Sequence, residues 1–383
     1  MKIGIDARFY GSLGKGLGRY TQKLIEHLET IDTENQYVVF LRKENFDEYE
    51  PQSANFRKVL ADYQWYGFSE QILFPFLLMR HRLDIVHFPH FNIPVLYFSR
   101  FIVTIHDLIL IHFPTQRATK LHPLWYQVKF LAYKAAIWWA IHRSEHIMTV
   151  SEYTKQDILK HYAIAAEKVT VSYEAADQFC SHHPHERSLE ILRTYGLTVP
   201  DESNEKHAII RPYLLYVGNA YPHKNLETLV DVMNEAGMRD MTLVLVGKED
   251  YFYRRLKRRV ASAEMRNILF VGFVPDDELD VLYRFGRAYV FPSLYEGFGL
   301  PPLEAMSKGL PVLATHATSL PEILGDAAMY FYPEQKDSLR KSLRCLWDNE
   351  EIRNDLRAKG YARIGKFRWR TMAQETVKQY TKN

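Results

Sequence analysis

The stretch "AYVFPSLYEGFGLPPLEAMSKGLPVLATH", residues 288–316, reads as a strand, a glycine-rich loop, a helix and a second strand. "AYVFPS" is a short apolar run of the kind that forms a buried strand, and "PVLATH" is another. Between them, Pro301 and Pro302 suit the first turn of a helix, where a missing N–H costs nothing. The helix is therefore expected to start near Pro301, with Glu304 in its first turn and Glu296 ahead of it in the loop. Strand, helix and strand in so short a span form a crossover unit, which joins parallel strands. The free N–H groups of such a helix start, preceded by Gly297 and Gly299, make a positive pole at the sheet edge, where open α/β folds bind ligands.

The same pattern recurs along the chain. "KIGIDA", "YVVFL", "DIVHFP", "FIVTIHD", "HIMTVS" and "KVTVSY" occupy the first half, and "YLLYVG", "TLVLVG", "NILFVGFV" and "AAMYFY" join the opening pair in the second. Helical patterns separate them, so the chain is expected to form two doubly wound α/β domains. The polar, histidine-rich stretch from about 178 to 210 shows no strand pattern and is assigned as the linker. The expected division is residues 1–178, a linker at 179–210, a second domain at 211–365, and a terminal helix at 366–383 able to cross back onto the first domain. His182, His183 and His185 beside Cys180 are read as a solvated loop, since a zinc site needs four ligands on a rigid frame.

Composition narrows the function classes. The 383 residues, 47% hydrophobic and 25% charged, suit two globular domains. A formal net charge of +3 is too weak to call for a nucleic-acid partner. Two cysteines far apart, Cys180 and Cys345, offer neither a disulfide framework nor a cysteine zinc site, which suits a reducing cytoplasm. The start "MKIGIDARFY" lacks the features of a targeting leader, and the apolar stretches 72–79 and 128–142 are too short or too charged to span a bilayer.

Two further stretches carry chemistry. "YGSLGKGLGRYTQKLIEHL" places Gly11, Gly14, Gly16 and Gly18 ahead of an amphipathic helix, an anion site in which backbone N–H groups approach a phosphate. It is not the G-x-G-x-x-G of a dinucleotide fold, and the second strand ends in "LRKE" without a placed ribose-binding acid. Arg42 and Lys43 keep an NADP-dependent reductase as a weak alternative. In "YVGNAYPHKNLETLV", Gly218 follows a strand and Lys224 stands at a helix start, where the helix dipole by itself favours an acid. An anion between the two positive groups explains the lysine.

The pair Glu296/Glu304 in "FPSLYEGFGLPPLEAMSKGLPVLAT", together with "GIDARFY…GLGRYT", "VTIHDL", "VSEYTKQDILKHY", "YVGNAYPHKNLETLV" and "SLPEILGDAAMYF", resembles the retaining glycosyltransferases of family 4, over nearly the whole chain. The resemblance implies the GT-B fold: two Rossmann-like parallel-sheet domains facing across a cleft, with a nucleotide-sugar donor held mainly by the second. It implies that Glu304 holds the nucleotide ribose and Glu296 the donor sugar, while Lys224 binds the diphosphate. Gly218 and Asn219 belong to the same donor site, as do the amides of Phe298, Gly299 and Leu300 at the helix start. Gly16 and Gly18 approach the diphosphate from the first domain, and His106, with Asp107 beside it, lies against the transferred sugar. The alternative for His106 is a core histidine at a strand end.

Asn219 and His223 stand where many relatives carry basic residues, so phosphate binding is expected to lean on Lys224 and backbone N–H groups, with His223 helping only if protonated. No cofactor and no metal are expected, since no D-x-D pair ends a strand. The resemblance points to a hexosyltransferase of cell-surface polysaccharide assembly, first to mannose from GDP-mannose, acting on a saccharide or lipid-linked acceptor. Alternatives are a non-catalytic nucleotide-sugar-binding subunit and a GT-B epimerase. The segment 120–143, with Lys, Arg and Trp, raises peripheral contact with the inner face of the membrane, against a blander reading in which the helix packs on the sheet with its lysines outward. The basic run 254–260 reads as a solvated helix face.

Overall fold

The computed structural model describes residues 1–114, 123–177, 183–200 and 208–382. It divides into two compact units, Met1–Glu174 with Phe367–Asn383, and Ala175–Lys366.

The first unit is built on a seven-stranded parallel sheet in the order β3-β2-β1-β4-β5-β6-β7. The strands are β1 Lys2–Asp6, β2 Gln36–Leu41, β3 Phe56–Leu60, β4 Ile85–Phe88, β5 Phe101–Ile105, β6 His146–Thr149 and β7 Val169–Val171. Side chains alternate across a strand, so each strand serves two cores. Val38, Phe40, Val86, Phe88 and Val103 face one core, shared with Phe74 and Leu78 of α2 (Phe68–Arg80), Ile137 and Ile141 of α4 (Pro123–Arg143) and Ile158 of α5 (Glu152–His161). The opposite parity faces α1 (Lys15–Ile31) and the last helix, α14 (Trp369–Tyr380). There the Tyr380 hydroxyl meets His87 Nδ1 at 2.7 Å, His87 Nε2 meets Thr104 Oγ1 at 2.8 Å, and Thr104 meets the Tyr20 hydroxyl at 3.1 Å. Burying each such side chain contributes about 1.5–3 kcal/mol only because its polar tip has a partner.

Asp6 and Arg8 of "GIDAR" are structural. The fully buried Arg8 guanidinium donates to Asp6 at 2.7 and 2.8 Å and reaches Glu70 Oε1 at 2.6 Å, tying the end of β1 to the start of α2.

The second unit carries a six-stranded parallel sheet, order β12-β11-β10-β13-β14-β15. Its strands are β10 Tyr213–Val217, β11 Thr242–Val246, β12 Ile268–Gly272, β13 Ala288–Phe291, β14 Val312–Thr315 and β15 Ala328–Phe331. Strand order reverses between β10 and β13, which makes the carboxyl ends of these two strands the topological switch point.

The stretch expected to be a bare linker is different. It holds helix α6, His185–Thr194, whose Ile191 and Leu192 are buried, and an antiparallel pair, β8 Thr198–Pro200 with β9 Ala208–Ile210. Elements this short carry too few apolar residues to show a period. Cys180 and His182 lie outside the described residues. His183 sits 4.0 Å from Asp277. The basic run 254–260 lies on α8, Tyr251–Ser262, where Lys257 pairs with Glu249 and Arg259 with Asp231 on the outer face. Among the described residues, no helix is long and apolar enough to cross a membrane.

Candidate active site

Three loops at the carboxyl edge of the second sheet are stitched together. The loop after β10 passes Gly218 and Asn219, whose carbonyl accepts from the Tyr216 hydroxyl at 2.6 Å, and ends in a single tight turn, Pro222–Lys224. Asn225, at φ 56°, then opens α7 (Leu226–Met233). The loop after β13 crosses it, with Leu294 N–H and Ser293 Oγ donating to His223 O at 2.7 and 3.3 Å. The third loop, after β14, supports the second: Thr318 Oγ1 accepts from Glu296 N–H at 3.1 Å, and Ser319 Oγ reaches the carbonyls of Glu296 and Phe298 at 3.0 and 3.2 Å.

This framework brings Lys224 and Glu296 into contact. Lys224 Nζ donates to Glu296 Oε1 at 2.5 Å, with the two side chains only 14% and 10% exposed, and it lies 5.3 Å from the centre of the Phe291 ring. A largely desolvated pair interacts more strongly than a surface pair, and removing one partner strands the other. The buried Tyr289 of β13, whose hydroxyl donates to Val217 O at 3.1 Å, feels both Glu296 and Glu304. Burial raises its phenol pKa first, and the carboxylates of Glu304 and Glu296 push it further in the same direction.

The helix after the loop, α10, is Leu300–Ser307, so it begins one residue before Pro301 and places the half-buried Glu304 beyond the first turn. Its N-cap, Gly299, sits at φ 101°, a backbone region that L side chains rarely adopt, and a Cβ there would lie 2.8 Å from Leu320. Pro301 and Pro302 have no N–H. The donors that remain in this first turn are those of Gly299 and Leu300, which concentrates the positive pole at the loop.

His223 cannot assist as expected. Burial, and then the neighbouring Lys224, lower its pKa to about 4, so the ring is neutral between pH 6 and 8.

In the first unit, the glycine loop forms a single turn, Gly11–Gly14, and α1 begins at Lys15, so Gly16 and Gly18 lie within the helix rather than ahead of it. Their surroundings differ. A Cβ on Gly18 would lie 2.1 Å from Gly11 O and 2.5 Å from Phe9 O, and one on Gly14 would lie 2.1 Å from Phe9 O. These two glycines allow the loop to pack on the helix. Gly16 meets nothing within 4 Å, so packing does not require a glycine there.

His106 follows β5. Its Nε2 donates to Pro89 O at 2.9 Å, its Nδ1 lies 3.1 Å from Glu174 Oε1, and the Tyr20 ring stands edge-on at 4.7 Å. A carbonyl and a carboxylate both accept, so the ring is best satisfied with both nitrogens protonated. Burial opposes that charge, but Glu174, the Pro89 carbonyl and Asp107 outweigh it and raise the pKa above its ordinary value. The Asp107 carboxylate accepts from Ile109 N–H at 2.9 Å, at the start of the short helix α3, Ile109–His112. Glu174, 68 residues from His106, has no local motif that marks it. Thr318 was equally unmarked, and Ser319 opens the motif "SLPEILGDAAMYF" but was given no role; both hold the loop of Glu296.

Among the described residues, His112, Asp157 and His161 bring three donor atoms within 4.8 Å of one another. Asp157 accepts from His112 Nε2 at 2.8 Å, and His161 Nδ1 lies 2.9 Å from the Asp157 carbonyl. That nitrogen carries a proton, because a carbonyl only accepts.

Two family models match the chain. The model described as Glycosyltransferase Family 4 covers residues 14–177, and that described as Glycosyl transferases group 1 covers residues 201–363. The chain is 27% identical to O-antigen chain mannosyltransferase B of Escherichia coli, over 95% of each chain. Sucrose-phosphate synthase from Thermosynechococcus elongatus superposes with a TM-score of 0.74 at 19% identity, covering 99% of this chain and 98% of the other. Anabaena HepE in complex with UDP and glucose gives a TM-score of 0.72 at 14% identity, covering 100% and 99%. The chain belongs to the family 4, group 1 glycosyltransferases, and its two parallel-sheet, Rossmann-like units are those of the GT-B fold.

Proposed function

We propose that the chain is a retaining mannosyltransferase that takes mannose from GDP-mannose and needs no metal, acting on a saccharide or lipid-linked acceptor in cell-surface polysaccharide assembly. The observation that carries the reading is the Lys224–Glu296 pair, held by three loops at the switch point of the second sheet. The similarity to an O-antigen chain mannosyltransferase favours mannose and a polysaccharide acceptor.

In this reading the bond between the anomeric carbon and the donor's β-phosphate breaks while the acceptor oxygen bonds to the same face of that carbon. The acceptor proton passes to the leaving phosphate oxygen. As the C–O bond breaks, its electron pair stays with the leaving oxygen, so negative charge grows on the β-phosphate until that proton arrives. Lys224 Nζ and the N–H groups of Gly299 and Leu300 are the groups that would stabilise it, and removing one such donor costs about 3 kcal/mol. Supplying positive charge from the protein is what makes a metal dispensable. Glu296, already paired with Lys224, takes the sugar hydroxyls, and Glu304 takes the ribose. Gly218, Asn219 and Phe298 shape the backbone around the diphosphate.

For the first unit the proposal stays with its own loops. Gly16 is the point of close backbone approach to an anion, and Gly18 keeps the loop on the helix. His106, with both nitrogens engaged by Pro89 O and Glu174, lies against the transferred sugar through its ring and positive charge rather than as a proton carrier, and Asp107 holds the loop beside it.

The test is a panel of GDP-, UDP- and ADP-sugars, read by nucleoside diphosphate release with and without glycan acceptors, in EDTA and in Mg2+. Acceptor-dependent release of GDP, unchanged by EDTA, is the expected result. Conversion of the nucleotide sugar without an acceptor would replace this reading with an epimerase, and binding without turnover would replace it with a non-catalytic subunit.

A further inference from the structure

The first sheet has its own switch point. Strand order reverses between β1 and β4, and the crevice beyond the carboxyl ends of two such strands is where an open α/β sheet takes a ligand. Phe9 follows β1 and His90 follows β4, and their ring centres stand 5.4 Å apart. Pro89, the residue before His90, supplies the carbonyl that accepts from His106 Nε2, so His90 shares its loop with a partner of His106.

The His90 ring is held in one state. Asn92 N–H donates to His90 Nδ1 at 3.3 Å, so that nitrogen carries no proton and the proton of the neutral ring sits on Nε2. Burial, and then the charge on His106, keep the ring neutral by lowering its pKa to about 3. Asn92 is fixed in turn: its side-chain amide donates to Glu70 Oε1 at 2.7 Å, and Glu70 is the carboxylate that Arg8 grips. The buried ion pair at the end of β1 therefore reaches, through Asn92, to the orientation of the imidazole.

The Nε2–H so aimed has no hydrogen-bond partner among the described residues. Its surroundings are aromatic. The Phe91 ring lies at 4.0 Å from His90, Tyr133 of α4 stands edge-on to Phe91 at 5.1 Å, and Trp65 stacks on Phe9 at 4.3 Å. The indole N–H of Trp65 is buried and also lacks an acceptor. Two donors without acceptors in one aromatic cluster call for a partner from outside the chain. Phe9, His90 and Phe91 are each half-buried, so ring surface and an N–H donor are open side by side. A phosphate would call for charge; a neutral donor among rings suits an uncharged ligand with apolar faces and hydroxyls, which describes a sugar.

We propose that His90 is a specificity-determining residue of the transfer: it donates its Nε2–H to a hydroxyl of the acceptor saccharide, with Phe9 and Phe91 against that sugar's apolar face. The acceptor assignment rests on the transferase reading, in which the donor sugar already has Glu296 and His106. The donor sugar is the competing occupant.

The experiment compares wild type, His90→Phe and His90→Gln. Phenylalanine keeps a flat ring and removes the N–H, while the glutamine amide returns a donor. Steady-state kinetics with GDP-mannose and a mannose-terminated oligosaccharide should show an acceptor KM about tenfold higher in His90→Phe and partly recovered in His90→Gln, with the donor KM unchanged. In a monodeoxy acceptor series, one member should make wild type and His90→Phe alike, and it identifies the hydroxyl. Nitrogen-15 NMR of wild type reads the ring directly: the oligosaccharide alone, without nucleotide, should shift the His90 Nε2–H signal. That shift without turnover would support the saccharide contact while removing the transferase reading, so the two failures are separable. An acceptor KM that His90→Phe leaves unchanged, a donor KM that rises in its place, or an unmoved Nε2–H signal would overturn the proposal.

Discussion

Each unit sets a cation against a carboxylate at the carboxyl edge of its sheet, and the two pairs are built differently. In the second unit Lys224 and Glu296 come from the loops after β10 and β13 and touch at 2.5 Å. In the first, His106 follows β5 and meets Glu174, beyond β7, at 3.1 Å. A lysine stays charged through the physiological range, whereas an imidazole keeps its charge there only while its partners hold it. The second pair is thus a fixed charge, suited to a diphosphate, and the first a conditional one. The adjoining helix starts differ in the same sense. Prolines leave the α10 pole with the N–H groups of Gly299 and Leu300, while Gly14 and Gly18 at the start of α1 let backbone pack on backbone.

The comparison breaks most completely if Glu296→Ala still transfers sugar. The account expects turnover to vanish while the loop keeps its course, because Thr318 and Ser319 hold it through its backbone, with the melting temperature lowered by the stranded Lys224. Lys224→Ala comes next: a loss of about 3 kcal/mol of transition-state stabilisation, roughly 100- to 1000-fold in kcat/KM, measured by steady-state kinetics over a donor series.

Gly18→Ala and Gly16→Ala separate packing from ligand approach. The first forces a Cβ against two carbonyls and should destabilise the fold by about 1–3 kcal/mol in urea unfolding. The second adds a better helix former in open space and should raise stability by up to about 1 kcal/mol while raising the donor KM. Equal effects from the two would remove the distinction.

The smallest effect belongs to Glu174→Gln. A raised His106 pKa adds stability that is complete below the unfolded value near 6.5 and is lost as pH rises through the folded value. Removing the carboxylate should bring the His106 titration, followed by NMR, to lower pH and cut stability at acid pH more than at alkaline pH. An unmoved titration would mean that Glu174 does not hold the charge.

The sequence disclosed the strands where burial on both faces leaves an unbroken apolar run, as in "YVVFL" and "TLVLVG", and it marked Lys224 and Glu296 one by one because each sits in a motif, but it paired Glu296 with Glu304 and did not show that Lys224 and Glu296 touch. It concealed β3, "FRKVL", since an edge strand admits the exposed Arg57, and Lys58 finds the carbonyls of Phe46 and Tyr49 for its ammonium, so two charges break the apolar run. Glu174 was hidden for a different reason: its meaning depends on a contact 68 residues away. Four glycines in one loop looked alike in the sequence. Only their neighbours in space distinguish Gly18, pressed against two carbonyls, from Gly16, which meets nothing.

The central claim is that Lys224 and Glu296 divide the donor between them, one taking the diphosphate and the other the sugar. Calorimetric titration of wild type, Lys224→Ala and Glu296→Gln with GDP and with GDP-mannose tests it directly. Lys224→Ala should weaken both ligands alike, and Glu296→Gln should keep GDP while losing the added affinity of the sugar. Unchanged GDP binding in Lys224→Ala would contradict the account.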